Sequence, residues 1–271
     1  MFANWIGRKT EAEDEVSERL VSSFRATLDP NLAHTSAEAA PLGLHWCLSP
    51  ATAPMAELGP DGHPAKNRNL PPVPLPRRMW AGGMIEAFDT LRTGDRVRRV
   101  STIAEIVKKQ GKAGDLWFVT VSHDYTTARG LAIRDRQDIV YREAVGPRET
   151  APAPRKEPAE RAFDKSVPVQ MTPVLLFRYS AITFNSHRIH YDYPYATGVE
   201  GYDGLVVHGP LQATLLYNLA ATVLGAIPKQ FIYRGVVPAI AGGDLMVCSG
   251  NGTFWTQSMG GQIYMDVTVS P

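Results

Sequence analysis

Cysteine is scarce: Cys47 and Cys248 are the only two in 271 residues, far apart and in no C-x-x-C spacing. Neither a disulfide framework nor a cysteine-built zinc centre is available, which fits a reducing compartment. An excess of either charge is also missing, since 28 Lys and Arg face 27 Asp and Glu. No global field then draws nucleic acid or an anionic membrane, and any anionic partner must be met by a local patch. No apolar run approaches the roughly 20 residues that span a bilayer. The first residues bring Glu11, Glu13, Asp14 and Glu15 where a leader would be apolar or acid-poor. The expectation is a cytoplasmic protein, or a mitochondrial-matrix one in a eukaryote, with no nucleic-acid or membrane partner.

Proline, by contrast, is plentiful and divides the chain. Val16, Leu20, Val21 and Phe24 recur at helical spacing and predict a packing helix over Glu11 to Ala26. Prolines from Pro30 to Pro76 then interrupt regular structure; His45 and Trp46 within this stretch read as a core aromatic beside a hydrogen-bonded His on a short helix or strand. Its end, PPVPLPRRMWAGGM, is a polyproline-like lead that delivers Arg77 and Arg78 beside Trp80. That is either a solvated turn or a positioned anion contact, because Arg presents a fork that matches phosphate and carboxylate. Strands are predicted over Arg96 to Val107, Leu116 to His123 and Ala132 to Tyr141, and a Pro-rich linker over residues 145–173. Beyond it, Val174 to Phe184 reads as a strand, followed by strands over Phe231 to Val237, Asp244 to Thr253 and Gln262 to Val269. Gly94-Asp95 recurs as Gly243-Asp244, and Val119 to Ser122 as Val267 to Ser270, at nearly one offset. This suggests duplicated α+β units: a supporting half over 1–144 and a catalytic half over 174–271.

Only the second half contains the polar cluster of FNSHRIHYD, just before an apolar helix that opens at His-Gly-Pro. Leu211, Leu215, Leu216, Leu219 and Val223 give that helix one broad apolar face, with Gly209 as N-cap, Pro210 in the first turn and an end near Gly225. Its first N–H groups lack intrahelical partners and suit an oxyanion. His187, His190 and Asp192 lack a third ligand of a recognisable metal motif, and no Gly-x-Ser-x-Gly elbow surrounds Ser180 or Ser186. General acid–base chemistry by a His, with an amide neighbour to hold water, fits better and needs neither metal nor cofactor.

Thr183 to His190 and Val207-His208-Gly209 resemble the motifs of the MaoC-like enoyl-CoA hydratases. PPVPLPRRMWAGG, GDRVRRVSTIAEI, YSAITFNSHRIHYD and GLVVHGPLQATLL are similar to the branch containing mesaconyl-C4-CoA and itaconyl-CoA hydratases and mitochondrial 3-hydroxyacyl-thioester dehydratases. The resemblance implies an α+β double hot-dog fold, two antiparallel sheets each wrapped around a central helix, and a CoA-thioester substrate. It puts the catalytic His at His190 and the oxyanion N–H at Gly209, but Asn185 where the family has a catalytic Asp. Either Asn185 only positions water while His190 moves the protons, or Asp192 supplies the missing carboxylate. Arg188 would hold the distal carboxylate of a C5 diacid or merely pin its loop. Arg77, Arg78 and Arg234 are candidates for CoA phosphate or pantetheine, with Trp80 and His208 on the substrate side, although His208 is equally readable as structural. The activity implied is reversible hydration of an enoyl-CoA. A 3-hydroxyacyl-ACP dehydratase and a non-catalytic thioester-binding protein stay open, as does a homodimer of double hot dogs.

Overall fold

The computed structural model describes residues 2–111, 114–143 and 161–270. In the first half lie β1 (Lys9–Glu15), α1 (Glu18–Leu28), β2 (Arg77–Ala87), β3 (Arg96–Gly111), β4 (Gly114–Thr127) and β5 (Gly130–Arg142). The second half holds β6 (Lys165–Gln170), α2 (Pro173–Ile182), α3 (Gly209–Leu224), β7 (Gln230–Gly235), β8 (Asp244–Gly250), β9 (Thr253–Gln257) and β10 (Ile263–Ser270). All strands belong to one 10-stranded sheet, ordered β1-β3-β4-β5-β2-β7-β10-β9-β8-β6, with antiparallel pairing throughout.

That order is symmetric about the junction of β2 with β7. Outward from it, β5, β4, β3 and β1 answer to β10, β9, β8 and β6, and α1 follows β1 as α2 follows β6. The duplicated α+β organisation is therefore present in the topology. One of its two sequence signals is genuine: Gly94-Asp95 leads into β3 and Gly243-Asp244 into β8, which are equivalent strands. The other is coincidental, because Val119 to Ser122 lie in β4 whereas Val267 to Ser270 lie in β10, the counterpart of β5.

Several sequence expectations need correction. The two sheets are continuous, and among the described residues α3 has no counterpart in the first half, so only the second half of the sheet packs on a central helix. The stretch from Val174 is α2, not a strand: Thr172 Oγ1 accepts the Leu175 N–H at 3.1 Å, Pro173 occupies the first turn, and Leu176, Tyr179 and Ser180 are buried at helical spacing. The expected helix from Glu11 begins only at Glu18, capped by Ser17. The acids before it belong to edge strand β1, where they face a basic strand; Glu13 is opposite Arg98, Glu15 opposite Arg96, and Glu11 is paired with Arg98. Of the expected linker, 145–160 lies outside the described residues, and its later part carries β6, paired with β8 from Lys165↔Ser249 to Gln170↔Asp244.

One core serves both halves. Phe24, Tyr125 and Ile133 from the first and Leu211, Phe231 and Leu245 from the second share a buried cluster. Burial of Leu211, Leu215, Leu216 and Leu219 on α3 stabilises the fold by about 1.5–3 kcal/mol each. Asn218, also buried on α3, accepts the Ala33 N–H at 2.9 Å and donates to Leu42 O at 3.0 Å, tying the irregular Pro-rich stretch to the helix. Gly225 ends α3 in the left-handed conformation (φ 69°), as its position in the sequence predicts. Among the described residues no helix is long and apolar enough to cross a membrane.

Candidate active site

A cavity of about 790 Å³ lies between the halves and opens on the start of α3. His190, Asn185, Gly209, Trp80 and Arg78 line it, together with residues of β3, β4 and β5. The loop between α2 and α3 carries the His and Asn, and its fold assigns each a chemical state.

His190 ends a short 3₁₀ turn (Arg188–His190) and is buried. Its Nδ1 lies 2.7 Å from Val206 O. A carbonyl can only accept, so Nδ1 carries the proton and Nε2 the lone pair. Burial lowers its pKa to about 4, opposed by the bond to Val206, so the ring is a neutral base at physiological pH. Against it at 3.7 Å stacks His208, whose Nε2 meets Ser180 Oγ at 2.8 Å, while His187 meets it edge-on at 5.4 Å.

Asn185 is fixed in the same way. Its Oδ1 accepts the His187 N–H at 3.0 Å, and because that donor requires an oxygen, Nδ2 is left as a donor to the cavity. Gly209 follows His208, which rather than Gly209 is the N-cap of α3. With Pro210 next, the first backbone N–H of the helix belongs to Gly209, on the cavity wall, and it has no acceptor among the described residues. A Cβ at Gly209 would lie 2.6 Å from Trp80 Cε3, and Trp80 is itself stacked on Tyr233 at 4.4 Å. Glycine is what lets the helix start approach the indole. A neutral base, an amide donor and an unpaired helix N–H thus share one cavity, which is the equipment for moving a proton while stabilising an oxyanion.

Other expected site residues are placed elsewhere. The Asp192 carboxylate accepts from Arg188 at 2.8 Å and from the Tyr195 N–H at 3.1 Å, and makes no hydrogen bond to His190. Arg188 is spent on that pair, on Pro60 O at 3.0 Å and on the face of Tyr195, so it pins the loop and does not line the cavity. Arg77 is bound to Glu200 (Nε to Oε2, 3.1 Å) and Arg234 is exposed on β7; neither lines the cavity. His208 is fully buried against His190 and does not line the cavity. Arg78 does reach the cavity, donating to Pro64 O at 3.3 Å and meeting the Tyr141 hydroxyl. His45 and Trp46 share a short 3₁₀ turn, but the expected core aromatic is only partly buried, with Trp46 Nε1 donating to Asp135 at 2.9 Å, and the expected hydrogen-bonded His is buried with no hydrogen-bond partner for its Nε2 among the described residues.

Two groups escaped sequence reading. Donor atoms of Asp61, His63 and His187 lie within 4.8 Å of one another and could hold a metal ion, although Asp61 Oδ2 and His63 Nδ1 are already paired at 2.9 Å. The first half contributes Arg99, Ser101, His123 and Gln137 to the cavity. The only signal for these was polar residues at alternate strand positions, which usually marks a solvated face.

Residues 43–241 match the family model of hydroxyacyl-thioester dehydratase type 2. The chain belongs to this family. The mesaconyl-C4-CoA hydratase of Chloroflexus aurantiacus is 45% identical over 86% of this chain and 83% of its own. The mitochondrial hydroxyacyl-thioester dehydratase type 2 of Schizosaccharomyces pombe is 26% identical over 92% of this chain and 93% of its own. Among solved structures, a MaoC-like dehydratase superposes with a TM-score of 0.70 over 100% of both chains at 14% identity. A Mycobacterium tuberculosis protein described as a double hotdog fold matches with a TM-score of 0.56 over 97% of this chain and 95% of its own, at 13% identity. The fold is accordingly the α+β double hot dog that the motifs implied, and this dehydratase-type chain is a hydro-lyase.

Proposed function

We propose that this protein reversibly hydrates a CoA-linked enoyl thioester to the 3-hydroxyacyl thioester, with a C5 dicarboxylic acyl group such as mesaconyl as its substrate class. The observation that carries the mechanism is the Val206 carbonyl on His190 Nδ1, which leaves the Nε2 lone pair as the base. Water held by the Asn185 amide donor gives its proton to Nε2 as its oxygen bonds to the β-carbon. The C=C electrons move toward the thioester carbonyl, whose oxygen becomes the enolate oxyanion at the Gly209 N–H and the positive end of α3. Histidinium His190 then returns the proton to the α-carbon. Asn185 cannot take a proton, and Asp192 is held by Arg188, so a single group serves both transfers. Arg78, which lines the cavity, is assigned to the anionic carrier. The Chloroflexus aurantiacus relative supports the dicarboxylic acyl group.

The test is loss of enoyl-thioester absorbance on incubation with mesaconyl-C4-CoA. General acid–base catalysis contributes about 10²–10⁴-fold, and His190→Ala should lower kcat by that order. Unchanged turnover in the variant would remove His190 from the mechanism.

A further inference from the structure

Over the second half of the sheet, α3 packs against β7, β8, β9 and β10. Over the first half no long helix does so among the described residues, and the strand face it would cover is polar at its centre. Inward positions read Val97, Arg99, Ser101 and Ile103 on β3, Val121, His123 and Tyr125 on β4, and Ile133, Asp135 and Gln137 on β5. The registers set Ser101 opposite His123, His123 opposite Asp135 and Arg99 opposite Tyr125. Apolar residues flank this band on both sides: Trp117, Val119 and Val121 belong to one buried cluster, Val97, Tyr125 and Ile133 to another.

Within the band, Arg99 is the cation that has no salt bridge among the described residues, although its guanidinium meets the Tyr125 hydroxyl and lies in the field of the Asp135 carboxyl. Its Nε is buried without a hydrogen-bond partner, its bond from Nη1 to Leu48 O is 3.4 Å long, and among the described residues it forms no ion pair. The adjacent carboxyl, Asp135, is fully buried and already accepts from Trp46 Nε1 at 2.9 Å, Gln137 Nε2 at 2.6 Å and Tyr233 OH at 3.3 Å. His123 is held by Ser101 Oγ at 2.7 Å. This half-buried guanidinium keeps an unpaired Nε at the cavity wall, and the fork of Arg suits a carboxylate. Arg99 lines the same cavity as His190 and Gly209, so a ligand in that cavity can bring the anion.

We infer that Arg99, with Gln137 and His123 beside it, receives the free carboxylate of a dicarboxylic acyl thioester and thereby selects acid-bearing over plain acyl chains. This rests on the hydratase reading above and assigns its specificity to a residue outside the motif-bearing half. Arg188, the sequence candidate for that role, is consumed by Asp192.

The experiment compares kcat/KM for mesaconyl-C4-CoA and for crotonyl-CoA, which lacks the second carboxylate, in the wild type, Arg99→Gln and Arg99→Lys. Loss of a charge-assisted, forked contact should lower the dicarboxylic value roughly 10- to 100-fold in Arg99→Gln, with crotonyl-CoA changed by less than about threefold and Arg99→Lys intermediate. An equal fall for both substrates, or a preserved ratio, overturns the assignment. Should Arg99→Gln fail to fold, Arg99→Lys decides alone, since an unchanged ratio there contradicts a role for the fork. A wild type that hydrates crotonyl-CoA and not mesaconyl-C4-CoA removes the dicarboxylic subsite while the hydratase reading stands. Inactivity on both removes the reading and the inference with it.

Discussion

Acidification from about pH 7.5 to about pH 5.5 should cost this protein much of its folding stability. His45, His123 and His187 are lowered to about 3, His190 to about 4, and His208 well below its ordinary value. Burial is the main cause in each; the Arg99 guanidinium adds to it at His123, and the rings oppose one another's protonation, His123 that of His45 and His190 that of His187 and His208. The folded state keeps these rings neutral, whereas in the unfolded chain they bind protons near pH 6.5. Stability is therefore fully present above about pH 6.5 and is lost as pH falls toward the folded values. At about pH 5.5 each ring that stays neutral in the fold costs on the order of 1 kcal/mol, and the five together several kcal/mol. Asp135 works in the opposite sense. Burial raises its carboxyl to about 6, so the folded state takes up that proton first and recovers about 1 kcal/mol. A net loss of several kcal/mol is a large share of the stability of a typical domain, about 5–15 kcal/mol. Urea midpoints followed by tryptophan fluorescence should begin to fall near about pH 6.5 and fall most steeply below about pH 5.5, where the unfolded chain binds all five protons and the fold does not. Midpoints that stay level to about pH 5.5 would refute the account of neutral, buried rings.

Two substitutions probe the helix that begins at the cavity. Gly209→Ala places its methyl 2.6 Å from Trp80 Cε3, with Tyr233 behind the indole, so kcat should fall; a thermal melt should show overpacking of about 1–3 kcal/mol, and wild-type kcat with wild-type stability would contradict the close approach. Asn218→Ala leaves the Ala33 N–H and Leu42 O without their buried partner and should cost about 2–4 kcal/mol in urea unfolding; a loss below about 1 kcal/mol would count against the tie between α3 and the Pro-rich stretch.

Local grammar made the centre of the site legible. Gly209-Pro210 and Gly225 bracket α3 within a residue of its ends, and His190 and Asn185 stand on one cavity as the motif implied. What escaped depends on distant parts of the chain. Nothing near Asp192 indicates that Arg188 will take its carboxylate rather than His190. The apolar run from Val174 fits strand and helix alike, and Thr172-Pro173 was the signal that should have decided it. The acids of β1 look like a helix start until their basic partners arrive from β3, more than eighty residues later. Arg99, His123 and Gln137 share a wall only through strand register, which no local window contains.

The symmetry of the sheet fixes a stoichiometry. Two units of like topology would ordinarily bring two helix starts, and with them two places where an enolate could be met. Among the described residues this chain keeps one, because α3 is not repeated in the first half. On the proposed mechanism its second unit would supply the reactive groups, and its first the space that a second such helix would fill. Each chain, though built as a pair, would then turn over one thioester at a time.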